Sequence, residues 1–543
     1  MGMTKKWFVV LAIVIAVMHI GLVLFFGAKK AGFHEDEYYS YWSVSVAPNE
    51  MNPVNFTWKS GYDLQSRFFI RSDHRFDYET VVQNQIADVH PPLYYLALHT
   101  LMSFFPNSFY KWFGILLNLF FSLITYGCIL ALFYHMGDRL IPNREFAALL
   151  AGLIYAVAPP TISCIMLTRM YAMSTMWSTA YALVFVLLMK NRTCSIRRFI
   201  LLLTAGASIC YCAFLTHYFA LLIPFFLTAF YSLYVLFCRK GVWRMLIYGA
   251  ACTLSIALGV VSFPASLQHI FGGYRGTGVL HGLFGGEMKD RLSIFIGYMQ
   301  NWIFSGTLYP CLVLFAVMLL LLTGLVIRKN GWKNVHNFVC RMLAIPFSLF
   351  LSYIILCGGS LIVGEASCRY FYPVAALIFP FMAYTLWSAF SVLADSIRQS
   401  DGSAGKRRFV SGIVAVSTLV LALIPAAFGY ARKNVLFLYE EDAEKLEFSK
   451  EYSEYPLIMV FGSTFSYRSW YVDNQLWPFA QVFYLSYDQR EELSDKKLQN
   501  AEKIVVYMDA PPDVLEQLIA DNPHLTSYAL VRQDKYYNVY LLE

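Results

Sequence analysis

Apolar runs of about twenty residues recur along most of the chain, the first from Trp7 to Phe26. A hydrocarbon core about 30 Å thick needs a helix of about that many apolar residues to cross it. Inside it, every backbone N–H and C=O must be satisfied within the spanning element itself. Eleven segments meet the length, at 7–27, 112–134, 146–165, 171–189, 199–216, 218–238, 244–263, 308–327, 342–363, 370–390 and 409–429. The fold class that follows is an α-helical polytopic membrane protein. Only 14% of the 543 residues are charged, against roughly 25% in a soluble domain.

The charges sit in short clusters between the runs, so the net charge of +7 speaks of topology. Short basic loops bias toward the cytoplasm. Those holding Arg139 and Arg144, then Lys190, Arg192, Arg197 and Arg198, then Arg239, Lys240 and Arg244 alternate with poorly charged ones. So do those with Arg328, Lys329 and Lys333, and with Arg398, Lys406, Arg407 and Arg408. With eleven spans, all lie on the side of Lys5 and Lys6, which predicts a cytoplasmic N-terminus and an extracytoplasmic C-terminus. Lys29 and Lys30 dissent. The long first run, with no small-x-small site after it, reads as a retained anchor in a cell membrane and not as a cleaved leader. No basic stretch is interleaved with aromatics, so the lipid bilayer is a partner and nucleic acid is not.

Two outward segments exceed a connection, 28–111 and 264–307. Within the first, Pro91 to Phe105 is apolar but short, the length of a helix lying in the membrane interface. The second opens on Phe271-Gly-Gly-Tyr-Arg-Gly-Thr-Gly-Val279. It lacks the Gly-Lys-Ser/Thr of a phosphate loop and reads as an external loop. The eleven cysteines are scattered, mostly within apolar runs, and show no metal or disulfide spacing.

The composition changes near residue 430. Pro456–Phe461 and Ile504–Met508 read as buried strands, Val514–Ala520 as a helix, and Ser527–Leu542 as a hairpin turning near Asp534-Lys535. The expected division is a membrane domain over 1–430 and a small extracytoplasmic α/β domain over 431–543.

Residues able to do chemistry gather in the first loop. It opens with Phe33-His-Glu-Asp-Glu-Tyr-Tyr-Ser-Tyr-Trp42, where Glu35, Asp36 and Glu37 abut the end of a span. A solvated acidic cap is the bland account. The surrounding aromatics, as in a sugar-binding cleft, favour a functional one. Further on, Asp88-Val-His-Pro-Pro-Leu-Tyr-Tyr-Leu-Ala-Leu-His99 suits helix initiation, since Pro91-Pro92 fits a first helical turn. That account leaves His90 beside a tyrosine pair unexplained.

These motifs resemble the GT-C membrane glycosyltransferases. More narrowly, they are similar to the bacterial branch related to protein O-mannosyltransferases and to the aminoarabinose transferase of lipid A. The resemblance continues in order with Leu167-Thr-Arg-Met-Tyr-Ala172, Thr216-His-Tyr-Phe219 and Arg369-Tyr-Phe-Tyr-Pro373, and covers roughly residues 1–430. It implies a polyprenyl-phosphate-sugar donor, an inverting transfer and an aspartate base, with Asp36 at the matching position and Glu37 beside it as the second catalytic carboxylate.

The chemistry agrees. A lipid phosphate is a stable leaving group and needs no strong acid, so a carboxylate for the acceptor hydroxyl and a cation for the phosphate suffice. Arg169, at the mouth of two apolar spans, is the expected cation, with snorkelling to the interface as its alternative. Arg369 has the same placement, and an ion pair with Glu365 competes with a phosphate role. Asp88, His90, Tyr94 and His217 are candidate substrate-binding residues, although His217 also suits an ordinary turn.

No cofactor is required. A divalent cation, if used, would draw on Asp36, Glu37, Asp88 and His90. The acceptor is a protein hydroxyl, a cell-wall polymer or a glycolipid. Three other readings stand beside this one: transfer of a different lipid-linked group by the same fold, a transporter or flippase of lipid-linked saccharides, and a non-catalytic relative that binds the carrier.

Overall fold

The computed structural model describes residues 4–46, 57–137, 140–141, 143–191, 194–272, 288–360, 367–398, 404–462, 472–488, 496–534 and 537–543. Glu365, Lys535, Arg139, Arg192 and most of the glycine-rich stretch lie outside them. Among the described residues, ten helices are long and apolar enough to cross a membrane, from Lys5–Lys29 through Gly412–Ala431. Two shorter helices, Arg144–Val157 and Pro159–Met166, meet the same test only together, as a pair bent by 51°. The chain is thus a multi-pass membrane protein, with its spans where the apolar runs place them.

The helices and strands form two compact units, Met1–Phe26 with Asp88–Tyr94 and Gly114–Leu436, and Gly27–Ala87 with Tyr95–Phe113 and Phe437–Glu543. The division expected at 430/431 falls close to the second unit's re-entry at Phe437. That unit also takes in most of the first loop.

In the membrane unit, the bend has a covalent cause. Pro160 has no N–H to give the carbonyl four residues back, so Ala156 lacks its helical donor. The Nδ1 of His19, buried in the first span, takes that place at 2.8 Å, and Nε2 of the same ring is 2.9 Å from Ser122 Oγ. The next carbonyl, of Val157, accepts from the hydroxyl of Tyr430 at 2.7 Å. At the far end of the short helix, Asn118 Nδ2 donates to the carbonyls of Ile165 at 3.2 Å and Leu167 at 2.7 Å. Buried carbonyls are expensive to leave unsatisfied. These side chains therefore decide where the Leu167–Arg169 connection lies.

The second unit is built on a six-stranded sheet: β1 Trp58–Lys59, β2 Leu457–Phe461, β3 Val482–Ser486, β4 Ile504–Met508, β5 Tyr528–Gln533 and β6 Asn538–Leu542, in the order β1-β3-β2-β4-β6-β5. The strands β3, β2 and β4 are parallel, and the outer pairings are antiparallel. Leu457, Met459 and Phe461 pack on one face, Ile458 and Val460 on the other. Burial on both faces explains why this strand reads as an uninterrupted apolar run.

The strands at 457–461 and 504–508, the Asp513–Asp521 helix and the final hairpin lie where the sequence places them. Two features were not legible. β3 was not anticipated, and β1 comes from the first loop, which also supplies Leu64 to the core.

Candidate active site

Arg169 ends the connection between the Pro159–Met166 and Tyr171–Lys190 helices. Its side chain is buried, with Nη2 3.4 Å from His90 Nε2. The other ring nitrogen, Nδ1, lies 2.6 Å from Asp88 Oδ2. A carboxylate only accepts, so Nδ1 carries the proton, and Nε2 is left to accept from the guanidinium. Asp88, His90 and Arg169 thus form one hydrogen-bonded line.

The Asp88 side chain keeps 42% exposure but is ringed by protein. That crowding, the largest influence on it, would raise its pKa. The His90 imidazole, followed by the Arg169 guanidinium, outweighs it and holds the carboxyl well below the usual carboxylate range. The Asp88 carboxylate turns to His90.

Two further elements bring aromatic rings to this line. His217 starts the short Tyr218–Leu221 turn, its Nδ1 accepting from Phe219 N at 3.1 Å. Its ring centroid lies 6.2 Å from that of His90, 5.8 Å from Tyr171 and 6.3 Å from Tyr370. Arg369 and Tyr370 share the Cys368–Phe371 turn, and Arg369 is buried with its guanidinium 5.6 Å from the Tyr370 ring centroid. The Glu365 alternative for Arg369 lies outside the described residues. A cavity beside these rings is lined by Tyr171, Ser174, Ser178, His217, Ser352 and Tyr370.

Tyr94 stands behind this group. It is fully buried and donates to Asn118 Oδ1 at 3.2 Å, the same Asn118 that holds the Leu167 carbonyl. Through Asn118, Tyr94 supports the Arg169 connection.

Asp36 and Glu37 belong to the second unit, in the first turn of the helix Glu35–Ser43. Three carboxylates there suit the positive end of the helix dipole. His34 is the N-cap, its Nδ1 accepting from the Asp36 amide at 3.1 Å. Nδ1 therefore has no proton for Asp36 Oδ2, which approaches to 3.5 Å, and this contact is not an ion pair. Asp36 keeps 14% side-chain exposure. Glu37 has none, and its Oε2 accepts from Lys30 Nζ and from the His34 amide, each at 2.9 Å.

Among the described residues, no group of three or more His, Cys, Asp or Glu is arranged to hold a metal ion. Sequence reading missed Tyr171, Tyr370, Asn118 and Lys30. Both tyrosines lie inside the quoted motifs, where the arginines drew the argument. Asn118 was signalled only by being an amide in an apolar run.

No protein-family model and no curated protein sequence matches the chain. Solved structures do. ArnT from Cupriavidus metallidurans bound to undecaprenyl phosphate is 15% identical, covering 99% of this chain and 98% of that one, with a TM-score of 0.47. In the apo state, ArnT from the same organism is 13% identical over 97% of each chain, with a TM-score of 0.39. The archaeal oligosaccharyltransferase AglB from Archaeoglobus fulgidus, in complex with an inhibitory peptide and a dolichol-phosphate, is 11% identical. It covers 92% of this chain and 69% of that one, with a TM-score of 0.49.

Proposed function

We propose that this protein is a membrane glycosyltransferase of the GT-C type. It moves a sugar from a polyprenyl-phosphate donor to a hydroxyl acceptor outside the cytoplasm, with inversion at the anomeric carbon. The observation that carries the reading is the buried line Asp88–His90–Arg169. A guanidinium at the mouth of apolar spans, oriented by an imidazole with its own carboxylate, is a preorganised cation for a lipid phosphate. Its three members come from two of the motifs that carry the GT-C resemblance.

In this reaction Asp36 takes the acceptor proton as the acceptor oxygen bonds to the anomeric carbon. The carbon–oxygen bond to phosphate breaks on the opposite face, which inverts the centre. Polyprenyl phosphate leaves as an anion, and its developing charge falls on Arg169, with Arg369 as a second cation. His90, His217 and the tyrosines beside them contact the donor. The basic loops support donor chemistry outside the cytoplasm, with the N-terminus inside and the C-terminal domain outside.

One observation favours the transporter reading, since transporters use broken helices and the span at Ala158 is broken. The carbonyls at that break are taken by His19 and Tyr430, which leaves the break better suited to holding Arg169 than to coordinating an ion.

The test is Asp36→Asn in the full chain, reconstituted with a polyprenyl-phosphate hexose and candidate acceptors. Transfer is expected to fall by about 10²–10⁴-fold while donor binding persists. Undiminished transfer would remove Asp36 as the base. Movement of the lipid-linked saccharide between leaflets, with no transfer by the unmodified protein, would establish the transporter instead.

A further inference from the structure

Lys30 breaks the charge rule for an outward loop, and its surroundings give the reason. Its side chain is fully buried. Nζ donates to Glu37 Oε2 at 2.9 Å and to the carbonyl of Phe437 at 2.6 Å. The first acceptor belongs to the helix that carries Asp36, and the second is the residue at which the chain enters the C-terminal part of the same unit. Glu37 Oε2 also accepts from the His34 amide, so one carboxylate oxygen joins the ammonium to the helix cap.

Other bonds run the same way. Ala31 N donates to the Leu438 carbonyl at 2.8 Å. The Asn474 amide donates to Tyr38 Oη at 3.2 Å, and its side chain donates to the Ala31 carbonyl at 3.3 Å. Gly32 is pressed against this segment. A Cβ there would lie 1.9 Å from Asp442 Oδ2 and 2.8 Å from Tyr439 Cβ, so the approach requires glycine.

We propose that Lys30 is a positioning residue through which the C-terminal domain sets the rotation of the Asp36 helix. Glu37 belongs to this clamp and not to the reacting groups. A carboxylate roughly 6 Å from a helix axis moves about 1 Å for each 10° of rotation, and a displacement of 1 Å can cost about 100-fold in rate. Ion pairs buried this completely are poor stabilisers compared with apolar packing, and their best-attested use is to specify one arrangement. The assignment gives the C-terminal domain a task in the reaction without a reactive group of its own. Its catalytic part rests on the transferase reading above.

The experiment uses the full chain in detergent with three variants, Lys30→Met, Lys30→Arg and the double variant Lys30→Met with Glu37→Met. The double variant replaces the pair by side chains of similar length and keeps a folded comparison if a lone buried carboxylate prevents folding. Hydrogen exchange is followed in peptides covering 35–43 and 437–445, with β2 and β4 as internal references. Transfer from a polyprenyl-phosphate hexose gives kcat and the donor KM.

Exchange is expected to quicken in both peptides in Lys30→Met or the double variant, with β2 and β4 unchanged, and Lys30→Arg is expected to restore it in large part. In the double variant kcat should fall by at least roughly tenfold at a donor KM within about twofold of the original. A folded double variant with unchanged exchange at 437–445, or with undiminished kcat, overturns the proposal. If the unmodified protein transfers no sugar, the transferase reading fails by itself, and the exchange result still decides whether Lys30 clamps the helix.

Discussion

His19 Nδ1 donates to the backbone carbonyl of Ala156 across 2.8 Å, joining the first span to the carbonyl that Pro160 leaves without a helical donor. The imidazole is therefore a structural donor inside the membrane, its Nε2 turned to Ser122. His19→Leu keeps the volume but orphans that carbonyl. The cost of a buried unsatisfied group is about 1–3 kcal/mol, and thermal unfolding in detergent should show it. Tyr430→Phe should produce a similar loss through the Val157 carbonyl. Unchanged stability in both would mean that water replaces these donors.

Arg169 presents a planar fork, which an ammonium does not reproduce. Arg169→Ala is expected to weaken binding of a polyprenyl-phosphate donor by tenfold or more, for a charge-assisted bond worth about 1.5–3 kcal/mol. Arg169→Lys should recover only part of that. His90→Ala should lie between them, because it removes the group that orients the guanidinium and leaves the charge. Donor titration of the purified variants measures the order; equal affinity in all three would end the phosphate assignment.

Gly114 sits where a Cβ would lie 2.1 Å from Thr168 Oγ1 and 2.2 Å from its Cγ2. Thr168 immediately precedes Arg169, so Gly114→Ala must push the connection aside. Weaker donor binding is expected with little change in the hydrogen exchange of strands β2 and β4. Donor affinity equal to that of the unmodified protein would show that Thr168 yields without moving Arg169.

Asp473 gives the second unit a pH dependence of predictable sign. Burial raises its pKa to about 6, with Arg67 acting against that rise from 3.0 Å. The folded state thus holds this proton to higher pH than the unfolded chain does. Its contribution to stability is complete below about pH 4 and is lost as pH rises through about 6. A displacement of this size corresponds to an effect on the order of 3 kcal/mol. Asp473→Asn should flatten this part of the stability profile. Arg67→Met, which removes the opposing charge, should carry the loss to higher pH. Melting temperatures between pH 4 and 8 would show both, and identical profiles for all three proteins would refute the assignment.

The membrane spans were legible because their constraint is local: about twenty apolar residues suffice wherever they stand. The same locality made the strands at 457–461 and 504–508 readable, since each is buried on both faces. Asp88, His90 and Arg169 were singled out separately, yet nothing in their spacing says that one imidazole bridges the other two across 79 residues. Tyr94 and Glu37 looked equally available, and the fold buried both against partners far away or newly positioned.

The sequence by itself therefore determined a multi-span helical protein, its acidic first loop and the order of its motifs. Tertiary structure alone decided that the helix over 144–166 bends, because a proline can remove a donor locally while only a distant histidine can replace it. It also decided what the acidic loop does with its charges. Only folding brings Lys30 to Glu37, because the ammonium leaves water together with the carboxylate that it pairs with.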